Sequence, residues 1–294
     1  MKLAGQVLID VNPLLKPHIT GVGVYTGEIV RYLCSSQRDD LRCGFYYSSH
    51  RRGDVHHLSS RIADHKIQEA FNNGLAYYGG MEREYGRFAS KWVDLQSWIG
   101  LANGSWRVFH ATNILLPPLP PNVKGIVTIH DLLFSRFPHF ESVYWQRRWK
   151  MRVAQALRRA DCIIAISEAT ARDVEHFFGI DPGKIRVIYQ GVSDDKVQWI
   201  HPSAKQALRE RWNLPQRFLL FVGTLSTHKN VMNLLKAFLK INDPELGFVI
   251  VGKPGDNSAE IQEFVEKSPA RARIHLHGYV DHAHLESLYQ LATL

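Results

Sequence analysis

Lys229 and His130 are the side chains that their neighbours best prepare for chemistry. Lys229 lies in FLLFVGTLSTHKN, residues 218–230, where five apolar residues run into Gly223 and Asn230 opens the amphipathic run VMNLLKAFLK. That pattern reads as a buried strand, a glycine turn and a helix start. Helix N-termini offer unpaired N–H groups to anions, and open α/β sheets bind ligands beyond the carboxyl ends of their strands. A lysine at that mouth suits a phosphate-bearing ligand. His130 follows the run GIVTI at residues 125–129 and precedes Asp131. A histidine just past a parallel strand faces the same kind of crevice, where near neutral pH it can donate to a sugar hydroxyl or a phosphate oxygen. Asp131 reads as a cap for the next turn.

Both residues need strands and helices in alternation to hold them, and the chain supplies them. Residues 6–11 read as the first strand, followed by a loop carrying Pro13, Pro17, Gly21 and Gly23 and then a helix over 25–34. Further strands are expected over 108–111, 125–129, 162–166 and 185–189, with a long helix over 141–160. Its buried stripe is Trp145, Trp149, Val153, Ala156, Leu157 and Ala160. Arg148, Arg152 and Arg159 line another face of that helix, and such a cationic amphipathic helix can lie on anionic lipid. Residues 51–104 are polar, aromatic and irregular, with helical patches over 62–71 and 82–98. Residues 196–202 read as a connection, dividing the chain into domains 1–198 and 199–294. The second domain repeats strand and helix, with strands over 218–222, 247–251 and 274–276.

The 294 residues are 45% hydrophobic and 22% charged, an ordinary globular balance for about two domains. The net charge is +8; 25 of the 36 basic and 19 of the 28 acidic side chains fall in residues 1–198, so the excess is mainly N-terminal. An anionic membrane, a pyrophosphate-bearing substrate or nucleic acid would each suit it. Nucleic acid ranks last, because no recognition motif accompanies the charge. The loop GVGVYTG places its third glycine one position late for a dinucleotide fingerprint, and no acid closes residues 45–50, which disfavours NAD. No G-x-S-x-G elbow supports a hydrolase. Cys34, Cys43 and Cys162 are odd in number and lack CxxC spacing, which reads as reduced thiols in the cytoplasm. No run of 18 uncharged apolar residues could span a membrane, so Asn103-Gly104-Ser105 reads as a chance sequon. His275, His277, His282 and His284 lie close together, but no cysteine or helical ligand joins them and no metal is expected.

The strand, Val-Gly-Thr-Leu, three variable residues and Lys-Asn before an apolar helix resemble the nucleotide-binding domain of family 4 glycosyltransferases of the GT-B fold. Val127 to Leu132 resembles the His-Asp-Leu segment of that family, and His277 to Asp281 its Gly-x-Val turn. Thr224 stands where many members carry arginine, and Tyr189-Gln190 where they carry Pro-Asn. The resemblance implies an α/β protein of two Rossmann-like domains with parallel sheets, the second incomplete. It implies a nucleoside-diphosphate sugar as donor, with GDP-mannose suggested by the Gly-Thr subgroup, a glycan or lipid-linked acceptor, retention of configuration, and no metal or other cofactor. By the same resemblance Lys229 and Asn230 serve the diphosphate beside Thr224. Gly21 and Gly23 allow close backbone approach, His130 contacts the transferred sugar, and Tyr279 and Val280 meet the nucleotide base. The Glu-x7-Glu segment of the family would follow Leu294, so the sequence reads as ending ahead of it. An inactive fragment, a sugar-nucleotide epimerase and a noncatalytic nucleotide-sugar or membrane-surface module are the competing readings. The place expected for the protein is the cytoplasm, at the inner face of the membrane.

Overall fold

The computed structural model describes residues 5–16, 18–35, 41–48, 76–79, 106–140, 142–192 and 201–294. The helical patches expected over 62–71 and 82–98, the Asn103 sequon and most of the connection expected over 196–202 lie outside the described residues. The chain divides into two compact units, Met1–Gln190 and Gly191–Leu294.

In the first unit, seven strands form one sheet: β1 (Gly5–Asp10), β2 (Leu41–Ser48), β3 (Ala76–Gly79), β4 (Val108–Ala111), β5 (Lys124–Ile129), β6 (Cys162–Ala165) and β7 (Ile185–Val187). Their spatial order is β3-β2-β1-β4-β5-β6-β7, and every pairing is parallel. β1 lies between β2 and β4, with Val7 opposite both Cys43 and Val108. Successive side chains of a strand face opposite ways. Leu8 accordingly joins a core with Phe109, Val127, Leu157 and Val174, while Ile9 joins another with Leu14, Val30 and Phe45. A sheet buried on both faces needs apolar residues in runs rather than in alternation, which is how these strands read.

Helices follow the strands: α1 (Gly21–Ser35), the short turn α2 (Leu133–Arg136), α3 (Val143–Arg159) and α4 (Glu168–Phe178). Ser142 and Ser167 accept from the backbone N–H groups of Trp145 and Thr170 at the starts of α3 and α4, and Gly179, at φ 60°, closes α4 in the left-handed conformation. Two expectations need correction. Helix α1 begins at Gly21 rather than near Tyr25, because Val24 already donates to the Thr20 carbonyl at 2.9 Å. Gly21 and Gly23 are therefore its first turn and not a loop ahead of it. A side chain on Gly23 would press at 3.1 Å on both Ile19 and the Pro13 carbonyl, so close packing of that turn offsets the usual helical cost of glycine. In α3, Trp145 is exposed, whereas Val153, Ala156, Leu157 and Ala160 are buried and Trp149 packs partly against them. The stripe covers the sheet only from its second turn onward.

The second unit carries α5 (Pro202–Arg211), β8 (Arg217–Val222), α6 (Val231–Phe238), β9 (Leu246–Val251), α7 (Ser258–Glu266), β10 (Ile274–Gly278) and α8 (His282–Leu291). Its parallel sheet has the order β10-β9-β8, and central β9 is buried at all six positions. One face packs through Phe248, Ile250 and Ile274 on Val231, Leu235, Ile261 and Val265 of α6 and α7. The other packs through Phe218, Val249 and Val251 on Leu288 and Leu291 of α8, beside Leu208 of α5 and Trp212. Beside β8, the Thr293 N–H donates to Phe218 and the Leu294 carbonyl accepts from Leu220.

Candidate functional site

Two sets of polar groups gather at the carboxyl ends of the strands, one in each unit. In the first unit the set is built on β1, β4 and β5. The Thr112 hydroxyl, just past β4, donates to the Asp10 carbonyl at 2.7 Å and accepts from Thr26 of α1 at 3.0 Å. The Thr128 hydroxyl on β5 lies 2.9 Å from His110 Nε2 and 3.2 Å from the Tyr25 hydroxyl. His130 Nε2 lies 3.0 Å from the Thr112 carbonyl, its Nδ1 lies 3.2 Å from the Gln190 amide nitrogen, and the Tyr25 ring meets it edge-on at 4.9 Å. A carbonyl only accepts, so Nε2 carries the proton and Nδ1 is the acceptor.

Burial sets the ionisation of these groups. It pushes His110 down to about 4, so the residue is a neutral hydrogen-bonding partner in the sheet. His130 is also lowered by burial, against the opposing pull of the Thr112 carbonyl and of Asp131. Burial raises Tyr25, and its bond with Thr128 acts the other way. The result is a neutral imidazole at the strand end with one proton committed inward and one lone pair facing an exposed amide.

In the second unit the three strand ends are tied through glycine backbone. Gly223 donates to the Val251 carbonyl at 2.9 Å, and Gly252 to the Gly278 carbonyl at 2.7 Å. Leu225 donates to Lys253 and pairs with Pro254, which brings the loops after β8 and β9 side by side. Residues Thr227–Lys229 form a 3-10 turn. The Asp256 carboxylate clamps that turn, accepting from the Thr227 N–H at 3.1 Å and from its hydroxyl at 2.8 Å. These bonds, the hydroxyl's first, hold Asp256 below the usual carboxylate range. Asn230, at φ 57°, then turns the chain into α6; its carbonyl accepts from Asn233 and Leu234, and its side chain makes no cap bond. Lys229 is exposed at the mouth of α6, where a helix leaves its first N–H groups unpaired.

Thr224, Lys229 and Asn230 thus share one loop at the end of β8, and Tyr279 and Val280 lie past β10 in the same sheet. Val280 is buried with Val249 and Leu288, so its side chain belongs to the core, while Tyr279 is 43% exposed. Gly21, Gly23 and His130 belong to the first unit. The His275 and His277 rings stack at 6.2 Å, Trp212 lies 5.4 Å from His277, and the His284 Nδ1 bonds to Asp281, the residue that caps α8. Among the described residues no three His, Cys, Asp or Glu side chains are grouped to hold a metal ion. Sequence reasoning marks Gln190 only as a departure from the Pro-Asn of the family and singles out none of Thr112, Thr128 and Tyr25 for this site. The signal was a threonine inside or directly after an otherwise apolar strand, a polar group that burial obliges to find a partner.

Two parallel-sheet units with polar groups gathered at their strand ends define an α/β protein of the GT-B architecture. Comparison with solved structures gives the same fold. Anabaena HepE in complex with UDP and glucose matches with a TM-score of 0.65 at 16% identity, over 98% of this chain and 72% of that one. WaaG, a glycosyltransferase involved in lipopolysaccharide biosynthesis, matches with a TM-score of 0.63 at 11% identity, over 98% and 73%. The profile of Glycosyltransferase Family 4 matches residues 19–196, and that of Glycosyl transferases group 1 matches residues 204–294. The chain belongs to Glycosyltransferase Family 4. It is 20% identical to the O-antigen chain mannosyltransferase B of Escherichia coli, over 98% of this chain and 74% of that protein. It is 34% identical to the D-inositol 3-phosphate glycosyltransferase of Streptosporangium roseum, over 35% of this chain and 25% of that protein.

Proposed function

We propose that this chain binds a nucleoside-diphosphate sugar, GDP-mannose in our reading, and transfers the sugar with retention to a glycan or lipid-linked acceptor in surface polysaccharide synthesis. The observation that carries the reading is the exposed Lys229 at the mouth of α6, on a turn clamped by Asp256 beside the glycine-tied strand ends. A fixed cation and helix N–H groups there would stabilise the charge that builds on a leaving diphosphate without reorganising as it forms. Thr224 and Asn230 flank it, and the backbone at Tyr279 and Val280 would receive the base. In the first unit, the Gly21–Gly23 turn offers N–H groups and His130 a sugar contact. No metal or other cofactor enters this mechanism. The mannosyltransferase and the UDP-bound structures among the relatives support the substrate class.

Calorimetric titration with GDP-mannose, GDP and UDP-glucose tests it. One nucleotide class should bind, more weakly as salt rises, and Lys229→Ala should lose about 10- to 100-fold in affinity, the worth of a hydrogen bond to a charged group. Absence of binding by the folded chain, or equal binding by the variant, overturns the reading.

The acceptor side of the proposal includes peripheral contact with an anionic membrane at the inner face. Helix α3 carries no acidic residue, and it exposes Val143, Tyr144, Trp145 and Met151 beside Arg147, Lys150, Arg158 and Arg159. Each basic side chain near such a surface contributes about 1 kcal/mol. Among the described residues no helix is long and apolar enough to cross a membrane. In vesicle sedimentation, phosphatidylglycerol should retain the protein where phosphatidylcholine does not. The double change Arg147→Glu and Lys150→Glu should weaken that retention at least tenfold.

A further inference from the structure

His130 is held by three elements at once. The Thr112 carbonyl after β4 accepts from its Nε2–H, the edge of Tyr25 from α1 meets its ring, and the Gln190 amide reaches its Nδ1 from beyond β7, 60 residues along the chain. The first two contacts fix the plane of the ring and the site of its proton. Neither touches Nδ1, whose single lone pair is taken by Gln190. Gln190 is exposed and is the last residue of the first unit. An exposed glutamine gains little by folding back on an imidazole unless the position is useful, since water would serve its amide equally well.

We propose that Gln190 and His130 act as one hydrogen-bonded unit: the amide N–H takes the single Nδ1 lone pair, which holds the imidazole neutral, and the amide oxygen fixed by that bond accepts from a hydroxyl of the bound sugar. The chemistry of the amide suits this task. Its N–H fits a bare Nδ1, and the residue brings no charge that would favour protonation of the ring. A carboxylate at the same place would do the opposite, because it only accepts and so demands a proton on Nδ1. The other groups that bear on the ring are Asp131, next in the chain, and Tyr25. Both stay unchanged in a Gln190 variant. The sugar contact rests on the donor reading above, whereas the Gln190 pairing does not.

The test follows the His130 ring nitrogens by 15N NMR through a pH titration of the whole chain, in the wild type, Gln190→Glu and Gln190→Ala. The wild type should show the neutral ring protonated at Nε2 at pH 7. Gln190→Glu should raise the His130 midpoint by one unit or more, a response that a glutamine free in solvent would not give. An unmoved midpoint in a folded Gln190→Glu variant overturns the pairing. Gln190→Ala should lose at least fivefold in affinity for GDP-mannose or UDP-glucose, whichever binds, and keep its affinity for the matching nucleoside diphosphate. Equal loss for both ligands, or no loss, overturns the sugar contact of the Gln190–His130 pair. If the wild type binds no nucleotide, the donor reading and the sugar contact fail together, and the NMR midpoint still decides whether Gln190 holds His130.

Discussion

Gly252→Ala is expected to destabilise the second unit by about 3 kcal/mol or more, at the upper end of what overpacking a core costs. A Cβ on Gly252 would lie 1.7 Å from the Gly223 carbonyl oxygen and 2.6 Å from its carbonyl carbon. The obstacle is backbone, so no change of rotamer relieves it and the ends of β8 and β9 must part. Parting them breaks the bond from Gly223 to Val251 and displaces Gly252, which ties β9 to β10 by donating to Gly278. The same displacement would move the Lys229 turn, which hangs on the loop after β9 through Asp256. Urea unfolding of the variant beside Gly21→Ala checks this. A side chain at Gly21 meets nothing within 4 Å, and alanine there should leave stability unchanged or slightly raised. A Gly252→Ala protein with the wild-type midpoint would show that the two strand ends are not packed backbone on backbone.

Acid should weaken the first unit well before its carboxylates titrate. His110 has a folded pKa of about 4 against about 6.5 for the unfolded residue, because burial disfavours its charged form. Between those values the unfolded chain binds a proton that the folded one refuses. The contribution is therefore complete above about pH 7 and is lost as pH falls towards 4. It amounts to about 3 kcal/mol in all, of which about 2 kcal/mol goes by pH 5. His130 is lowered by burial as well and adds to the loss with the same sign. His110→Asn preserves a polar partner for Thr128 without a titrating group. Denaturant unfolding at pH 7 and pH 5 should then show a shallower pH dependence in the variant. An identical dependence in both proteins would mean that His110 is not buried neutral.

How much of this was legible beforehand depends on which physics dominated locally. Runs such as residues 218–222 and 247–251 are apolar on both faces, and both the alternation of strand and helix and the parallel sheets follow from them. His130 stands out because it directly follows such a run, and Lys229 because it lies between such a run and the helix after it. The start of α1 does not, since glycine composition argues for a loop while the packing of Gly23 on Ile19 and Pro13 favours a helix. Trp145 misled for a related reason: helical spacing puts it on the stripe, but the sheet does not reach the first turn of α3. The Gln190 contact with His130 joins residues 60 apart through two strand ends, and no local pattern announces a pairing that only the strand order creates.

The place of β1 in its sheet also bears on how the chain reaches this state. Its pairing with β4 sets Val7 against Val108, whereas in the second unit Arg217 finds Leu246 and Phe248 finds Ile274. Closing the longer loop costs about 1 kcal/mol more in chain entropy, and that cost falls before the strands return any energy. Non-local parallel pairing is the slow kind. During synthesis β1 emerges ahead of β4 and waits for roughly a hundred residues before that neighbour exists, so one edge of it stands open to other chains in the meantime.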